Sequence, residues 1–182
     1  MRYNASYDLQ QFNQDMFSDI SVGELKDATL FSSEKYTTTI SKRKSKTTFI
    51  NDQNILKRFL NVVKHINNRA QWNFNIDTIE PLQYGEYPVG GKYNWHVDQH
   101  YRPYNDNRVR KISFSILLND DFEGGEFDLE CYGPSKKPRY ETIQLKKYEG
   151  VFFQSDWFHR VRPVTSGVRK SLVGWSLGPK FF

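Results

Sequence analysis

In the sequence VRKISFSILL at residues 109–118, apolar residues alternate with serines over 112–116, which is typical of a β-strand. Ile112, Phe114 and Ile116 would lie on one face of this strand, opposite Ser113 and Ser115. Shorter segments of similar pattern lie on both sides of it, separated by turns that contain Gly, Pro, Asn and Asp. Many short strands at close spacing predict a mainly β fold with flanking helices, a double-stranded β-helix of the jelly-roll kind.

The same pattern places the other elements. The further predicted strands are 36–40, 74–84, 93–98, 126–131, 140–145, 151–154, 159–164 and 168–177, with turns at 88–91, 120–125 and 165–167 and loops at 99–107 and 133–139. A helix is predicted from Asn51 or Asp52, either of which can cap it, to about Ala70. Its apolar residues recur at helical spacing: Ile55, Phe59, Val62, Val63 and Ile66. We expect one domain over residues 1–182, in which 1–71 supports a jelly-roll core at 72–182.

Composition limits the classes of function that fit. The 182 residues suffice for one domain, and 37% hydrophobic with 26% charged residues is typical of a globular protein. Neither an apolar run of about 20 residues nor a signal-peptide pattern is present, so we expect a cytoplasmic protein without a membrane partner. Cys131 is the single cysteine, which excludes an internal disulfide. The net charge of +5 permits an acidic partner, and the basic run at 42–46 is interpreted as a solvated loop or edge.

Two residues of metal-ligating type stand two positions apart in Trp95-His96-Val97-Asp98. On a strand their side chains point to the same face, so both can bind one metal ion. His159 follows 61 positions after Asp98, at the start of another predicted strand. Two histidines and a carboxylate can form a facial triad that leaves positions open on an octahedral Fe(II) ion. The sequence therefore predicts a metal site at His96, Asp98 and His159.

Arg169 comes ten positions after His159, across the predicted turn at 165–167. We expect the flanking strands to form a hairpin, which would bring Arg169 into the same cavity as His159. A guanidinium binds a carboxylate through two parallel hydrogen bonds, and Ser171 would face the same side and add a hydroxyl donor. A surface position in the hairpin is the alternative, but the apolar sequence at 172–175 favours a buried one.

Longer segments around these residues match a known pattern. They are YPVGGKYNWHVD at 87–98, KISFSILL at 111–118, EGGE at 123–126, and HRVRPVT with RKSLVGW at 159–175. In this order they resemble the prolyl 4-hydroxylase group of 2-oxoglutarate oxygenases, which has a tyrosine, a Gly-Gly turn, a second tyrosine and then His-x-Asp. The last segment is similar to the closing strands of the PKHD-type hydroxylases. The resemblance covers about residues 72–182 and none of the first 70.

The resemblance implies a role for each of the candidate site residues. His96, Asp98 and His159 would hold Fe(II), and Arg169 would bind the distal carboxylate of 2-oxoglutarate. Many prolyl 4-hydroxylases have a lysine where this chain has Arg169, which weakens the inference that the substrate is a collagen-like proline. The arginine itself can still bind the co-substrate carboxylate.

Other positions match residues that lie beside the co-substrate in the family. Tyr87 matches a tyrosine that often hydrogen-bonds 2-oxoglutarate, although an aromatic core residue would fit its pattern equally well. Tyr93 also matches in position, with a less constant role. Ser113 aligns with a hydroxyl residue near the co-substrate, and a strand slip of one residue would replace it by Ser115. Ser171 is the further candidate for this carboxylate.

The resemblance also implies the reaction. A dioxygenase of this kind uses O2 to oxidise 2-oxoglutarate to succinate and CO2, and couples this to hydroxylation of a C–H bond. Asp98 favours hydroxylation, since halogenating relatives lack this carboxylate. We expect a prolyl or other peptidyl group, or a small molecule, as the primary substrate, and ascorbate is a candidate reductant.

Two other functions fit parts of the sequence. A nucleic-acid demethylase of the alkyl-repair type would suit the positive net charge, but such enzymes have a second arginine where this chain has Trp175. A non-catalytic jelly roll that binds a metal or small ligand is disfavoured by the intact triad together with Arg169. Nucleic acid is therefore not the expected partner.

Residues near the predicted site leave two interpretations open. The loops at 99–107 and 131–140 are either solvated polar loops or a lid over a peptide or small anionic substrate. Trp157 is either a core residue, which we favour, or a wall of the substrate pocket. His100 is expected to lie outside the metal site.

Overall fold

Antiparallel strands make up most of the described structure. The computed structural model describes residues 7–28, 30–32, 35–37, 42–100, 102–131 and 140–180. The strands in these ranges are β1 (Tyr7–Gln11), β2 (Lys26–Asp27), β3 (Leu30–Ser32), β4 (Lys35–Thr37), β5 (Arg43–Lys44), β6 (Lys46–Ile50), β7 (Thr78–Ile79), β8 (Leu82–Tyr87), β9 (Lys92–His96), β10 (Arg108–Leu117), β11 (Phe122–Gly124), β12 (Phe127–Glu130), β13 (Tyr140–Ile143), β14 (Glu149–Gln154), β15 (His159–Val161), β16 (Val164–Gly167) and β17 (Arg169–Pro179). An α-helix, α1 (Gln53–Arg69), and a 3-10 helix (Gln14–Phe17) accompany them.

Two antiparallel sheets contain most of the strands. Sheet 1 has the order β2-β6-β8-β17-β10-β14-β1, and β7 pairs with β17 near its end. Sheet 2 has the order β5-β9-β15-β12-β13, while β11 pairs with β16 and β3 with β4 in separate ribbons. Strands before residue 51 thus extend both sheets, since β1 and β6 join sheet 1 and β5 joins sheet 2. The division of the chain at residue 71 stays a prediction.

Two layers of buried side chains hold the sheets in place. In the first layer α1 packs on sheet 1, where the Phe59 and Phe114 rings stack with centroids 5.8 Å apart. Ile112 and Ile116 lie in this layer too, so the predicted alternation of β10 is confirmed. The second layer joins strands of both sheets and consists of Tyr87, Phe127, Leu129, Ile143, Val151, Phe153, Val161 and Val164. The remaining space between the sheets forms the cavity described below.

The predicted helix is confirmed, including its cap. The Asp52 carboxylate accepts hydrogen bonds from the backbone N–H groups of Asn54 at 2.9 Å and Ile55 at 3.0 Å. Ile55, Phe59, Val63 and Ile66 are buried, and Val62 packs at the margin of the same cluster. No helix in the described ranges is long and apolar enough to span a membrane.

Several predicted strands have different bounds. The region 74–84 contains β7 and the start of β8, interrupted at Pro81, which lacks the N–H that a sheet requires. The predicted turn at 120–125 includes β11, and the region 159–164 is divided by Pro163 into β15 and the start of β16. Of the predicted strand 36–40, residues 38–40 lie outside the described ranges, as does the loop at 133–139.

The predicted hairpin around 165–167 is wrong. These residues belong to β16, which pairs with β11, so β15 and β17 are not neighbours. β15 lies in sheet 2, whereas β17 lies in sheet 1 between β10 and β8. His159 and Arg169 nevertheless line one cavity, because the two sheets face each other across it.

The basic run at 42–46 lies at a sheet edge, as one of its two interpretations predicted, but one of its residues is buried. Lys42 directly precedes β5, which is the edge strand of sheet 2. Lys44 and Lys46 are exposed. Arg43 is instead only 8% exposed, with its side chain between the two sheets.

Gly174 of β17 tests how tightly the first layer is packed. A Cβ atom there would overlap the Phe114 ring and lie 2.8 Å from Leu82 Cδ2, so we expect Gly174→Ala to lower the free energy of unfolding by about 1–3 kcal/mol. Gly85 of β8 is the matched control, because its Cβ would lie no closer than 3.7 Å to any neighbour. Gly85→Ala should therefore leave stability unchanged or slightly increased. Urea unfolding of both variants measures the difference, and equal stabilities would contradict the packing described here.

Candidate active site

Three potential metal ligands converge where β9 and β15 pair. His96 is the last residue of β9 and lies opposite His159, the first residue of β15. Asp98 places one carboxylate oxygen 3.7 Å from His96 Nε2 and the other 3.4 Å from His159 Nε2. One ligand atom from each of the three residues lies within 4.8 Å of the others, a spacing that suits a single metal ion.

Asp98 does not lie on a strand, which corrects the prediction for 93–98. β9 ends at His96, and Asp98 lies in a bend two residues later. The Ser155 carbonyl accepts the backbone N–H groups of Asp98 at 3.0 Å and of Gln99 at 2.9 Å. These two bonds fix the bend, so the carboxylate faces both histidines although the strand has already ended.

Backbone carbonyls orient both imidazoles. His96 Nδ1 lies 2.8 Å from the Asn94 carbonyl oxygen, and His159 Nδ1 lies 3.1 Å from that of Trp157. A carbonyl can only accept, so each Nδ1 carries a proton, and in a neutral ring the lone pair then lies on Nε2, which faces Asp98 and the space beside it. This tautomer is the one that a metal-binding histidine requires.

The surroundings also keep His96 and Asp98 in the protonation states that a metal ion needs. Burial, reinforced by the nearby His159, lowers the pKa of His96 to about 3, so its ring is neutral at physiological pH. Burial opposes the ionisation of Asp98, but the two histidines and Arg110 outweigh it and hold its pKa at about 2. A neutral imidazole beside an ionised carboxylate is ready to bind a cation without losing a proton.

Aromatic rings pack against the two histidines. The Tyr93 ring stacks on His96 with centroids 3.4 Å apart, and the Phe153 and Phe127 rings lie 4.7 Å and 5.7 Å from that of His159. Such walls exclude water and restrict the rotamers of both histidines.

A cavity of about 810 Å³ extends from this centre between the sheets. At one end Arg169 is 2% exposed, and its Nη1 atom has no hydrogen-bond partner. The Ser171 hydroxyl is buried and unpartnered beside it. Burial without an anion lowers the pKa of Arg169, with Tyr87 opposing the shift, and the Tyr87 ring lies 5.6 Å from the guanidinium carbon. Buried donors that lack partners fit a ligand carboxylate, so this end of the cavity suits the distal carboxylate of 2-oxoglutarate.

The other predicted residues lie near this centre in different roles. Ser113 is fully buried and donates to the Ser155 hydroxyl at 2.9 Å, while Ser115 lines the cavity. His100 lines the cavity as well, but lies outside the His-Asp-His group. Trp157 packs against the second layer of the core.

One pair of residues near the ligands was missed from the sequence. Arg110 forms a bidentate ion pair with Glu80, at 2.7 Å and 2.6 Å, and its Nη1 donates to the Asp98 carbonyl at 3.2 Å. Strict alternation would put Arg110 on the helix side with Ile112, but the pairing of β10 with β17 shifts register between Arg110 and Ser113. No signal in one sequence identifies this irregularity.

Comparison with known proteins assigns the family. The model of the 2OG-Fe(II) oxygenase superfamily matches residues 82–177, which is more than half of the chain. The chain belongs to this superfamily. The expected dependence on Fe(II), 2-oxoglutarate and O2 is thereby confirmed at the level of the family. The first 81 residues lie outside the match.

Relatives of known sequence place it near one subgroup. The chain is 37% identical over 89 residues to a PKHD-type hydroxylase of Synechococcus sp. (strain CC9902), a match that covers 48% of this chain and 36% of the relative. It is 34% identical over 89 residues to a PKHD-type hydroxylase of Hyphomonas neptunium, with 47% and 38% covered. The matched part thus spans little more than a third of these relatives. These matches confirm the predicted resemblance to the PKHD-type hydroxylases.

Solved structures confirm the predicted fold. A prolyl-4-hydroxylase of Pseudomonas putida superposes with a TM-score of 0.67 at 18% identity, covering 97% of this chain and 94% of that one. A prolyl hydroxylase of Trichoplax adhaerens gives a TM-score of 0.69 at 17% identity, with 94% and 83% covered. Both likenesses identify the fold as the double-stranded β-helix.

The depressed pKa of His96 makes the metal-free protein sensitive to acid. The unfolded chain takes up this proton near pH 6.5 and the folded chain only near pH 3, so the free energy of unfolding should fall as the pH drops through this window. Asp98 adds a further loss below its ordinary pKa of 3.8. We expect His96→Gln to flatten the pH dependence between 6.5 and 4, measured by urea unfolding with a chelator present. His65→Gln, at an exposed position of α1, is the control and should keep the wild-type slope, and a His96→Gln variant with that same slope would refute the prediction.

Proposed function

We propose that this chain is an Fe(II)- and 2-oxoglutarate-dependent dioxygenase that hydroxylates a C–H bond, with the iron held by His96, Asp98 and His159. The observation that carries the proposal is the combination of this His-Asp-His group with the unpaired, buried Arg169 in one cavity. Metal ligands alone would suit many sites. A second, anion-binding end is what a co-substrate with two carboxylates requires.

The residues have distinct roles in the proposed reaction. Arg169 and Ser171 bind the distal carboxylate, and the Tyr87 ring forms the wall beside it. Bound Fe(II) supplies the site at which O2 is activated while 2-oxoglutarate is oxidised to succinate and CO2. With only three protein ligands, His96, Asp98 and His159, a bound Fe(II) would keep positions for both the co-substrate and O2.

The remaining groups keep the ligands in position and the site dry. The Arg110–Glu80 pair secures the carbonyl of Asp98, and the Ser155 carbonyl secures its N–H. The rings of Tyr93, Phe127 and Phe153 exclude water from the imidazoles. An ionised Asp98 would itself ligate the metal where halogenating relatives bind a halide, which supports hydroxylation as the outcome.

For the primary substrate we propose a prolyl or other peptidyl C–H bond, or a small molecule of similar size. The PKHD-type hydroxylase relatives and the prolyl hydroxylase structures support a hydroxylase over the two alternative functions. A nucleic-acid demethylase is not supported, since Trp175 stands where a second arginine would be needed. The cytoplasmic location stays a prediction.

The first test is spectroscopic. Anaerobic addition of Fe(II) and 2-oxoglutarate to the metal-free protein should produce a visible metal-to-ligand charge-transfer band. His96→Ala should abolish the band, because one of three protein ligands is lost. His100→Ala is the control, since His100 lines the same cavity outside the ligand group, and it should leave the band. If the wild-type protein develops no band, the proposed function is wrong.

The second test concerns the co-substrate anchor. Arg169→Gln should weaken 2-oxoglutarate binding by at least tenfold, because charge-assisted hydrogen bonds to the distal carboxylate are lost. Calorimetric titration of the anaerobic Fe(II) protein measures this affinity. Lys170→Gln removes a charge from the adjacent position and should leave the affinity unchanged. The Arg169→Gln variant should unfold no more easily than wild type without ligand, since it removes an uncompensated buried charge. Unchanged affinity would exclude Arg169 as the anchor.

A further inference from the structure

A second buried guanidinium, that of Arg43, lies in the cavity away from Arg169. β5 carries it at the edge of sheet 2, and its side chain crosses to sheet 1, where Nη2 donates to Gln83 Oε1 at 2.7 Å. Its Nε donates to the Ser45 hydroxyl at 2.8 Å. Arg43 is 8% exposed and therefore well removed from solvent.

No carboxylate in the described part of the chain forms an ion pair with this guanidinium. Among the described residues, no carboxylate lies within 4.0 Å of Arg43, and both of its side-chain hydrogen-bond partners are neutral. Arg110 in the same cavity shows the usual arrangement, a bidentate pair with Glu80. A buried cation without a counter-ion is costly, and the binding of an anion from outside would offset this cost.

The position of Arg43 relates it to the reacting centre. Its guanidinium carbon lies 4.6 Å from the centroid of the Tyr93 ring, and the same ring stacks on His96. A single aromatic ring thus separates Arg43 from a proposed iron ligand. Arg169 and Ser171, which we assign to the co-substrate, belong to β17, whereas Arg43 belongs to β5.

Exposed side chains line the cavity close to Arg43. Lys42 lines the cavity next to it, together with three partly exposed apolar side chains: Phe49, Trp95 and Val97. A molecule that enters between these apolar side chains would meet the exposed Lys42 amine first and the buried Arg43 guanidinium next. This distribution favours a ligand with an anionic group and an apolar body.

We infer that Arg43 binds a carboxylate of the primary substrate, close to the C–H bond that is oxidised. The inference rests on the proposed function, because it assigns the substrate to the same cavity. Arg43 precedes the part of the chain that matches the family, so membership alone does not imply this site. A free amino acid and an acidic side chain of a peptide both carry such a carboxylate.

The test uses ligand pairs that differ only in this charge. The anaerobic Fe(II)–2-oxoglutarate protein is titrated with the free L-amino acids and with their amides, and separately with peptide pairs that contain Glu or Gln. Binding is followed by calorimetry and by perturbation of the visible band. At least one acid should bind about tenfold or more tightly than its amide, as expected for charge-assisted hydrogen bonds. Preference among the free amino acids or among the peptides distinguishes the two sources.

Three variants connect the preference to Arg43. Arg43→Gln should abolish the preference for the acid and leave 2-oxoglutarate affinity within about twofold. Ser45→Asp keeps Arg43 but places a carboxylate where its Nε already bonds, so it should abolish the preference by internal competition even if Arg43→Gln does not fold. Lys44→Gln is the matched control, since Lys44 is the adjacent residue of β5 and its amine bonds the Val89 carbonyl outside the cavity.

The outcomes separate this inference from the proposed function. Loss of the acid preference in Arg43→Gln and Ser45→Asp, with Lys44→Gln like wild type, supports the site. Equal binding of acids and amides, no binding by any acid, or a preference that survives in both variants overturns it. In each of these cases the visible band still forms. If the band itself is absent, the proposed function has failed instead.

Discussion

The pairing register of β9 and β15 is the constraint on which the candidate site depends. His96 lies opposite His159, so both imidazoles project into the cavity between the sheets. A slip of one residue would turn one imidazole to the other face, because side chains alternate along a strand. Asp98 depends on this register indirectly. Its bend begins where β9 ends, and the Ser155 carbonyl that fixes it follows β14 of the opposite sheet.

Three arginines in the cavity show how buried charge is distributed around that centre. Arg110 is neutralised by Glu80 and supports the backbone of Asp98, which is a structural use of an ion pair. Arg169 and Arg43 have neutral partners or none among the described residues. Since an uncompensated buried charge destabilises a protein, the folded state should gain stability when anions bind at these two positions. The metal-free, ligand-free protein is then the least stable form of this fold.

Local patterns sufficed for much of the sequence prediction, and long-range pairing limited the rest. Helix α1, its Asp52 cap and the alternation of β10 follow from residues close in the chain, and all were predictable. The predicted hairpin before Arg169 is wrong because β15 ends before Pro163 and β16 pairs with β11. Tertiary contacts, which the local sequence does not show, determine this pairing. Arg43 was missed for a similar reason. Its neighbours in the basic run are exposed lysines, and only the approach of sheet 1 buries it.

The side chains of β17 show which residues lie at each end of the cavity. Arg169, Ser171, Val173 and Trp175 all line it, as alternate residues of one strand must. Arg169 and Trp175 are six positions apart, which is about 20 Å along a strand, so they lie toward opposite ends of the cavity. Trp175 pairs with Ser113 and lies under the Arg110 guanidinium, at 4.2 Å from ring centroid to carbon, whereas Arg169 pairs with Tyr87. Because Arg110 also bonds Asp98, the metal ligands lie nearer the tryptophan end. A short dicarboxylate anchored at Arg169 would then extend toward the ligands, and the space beyond it remains for a second molecule.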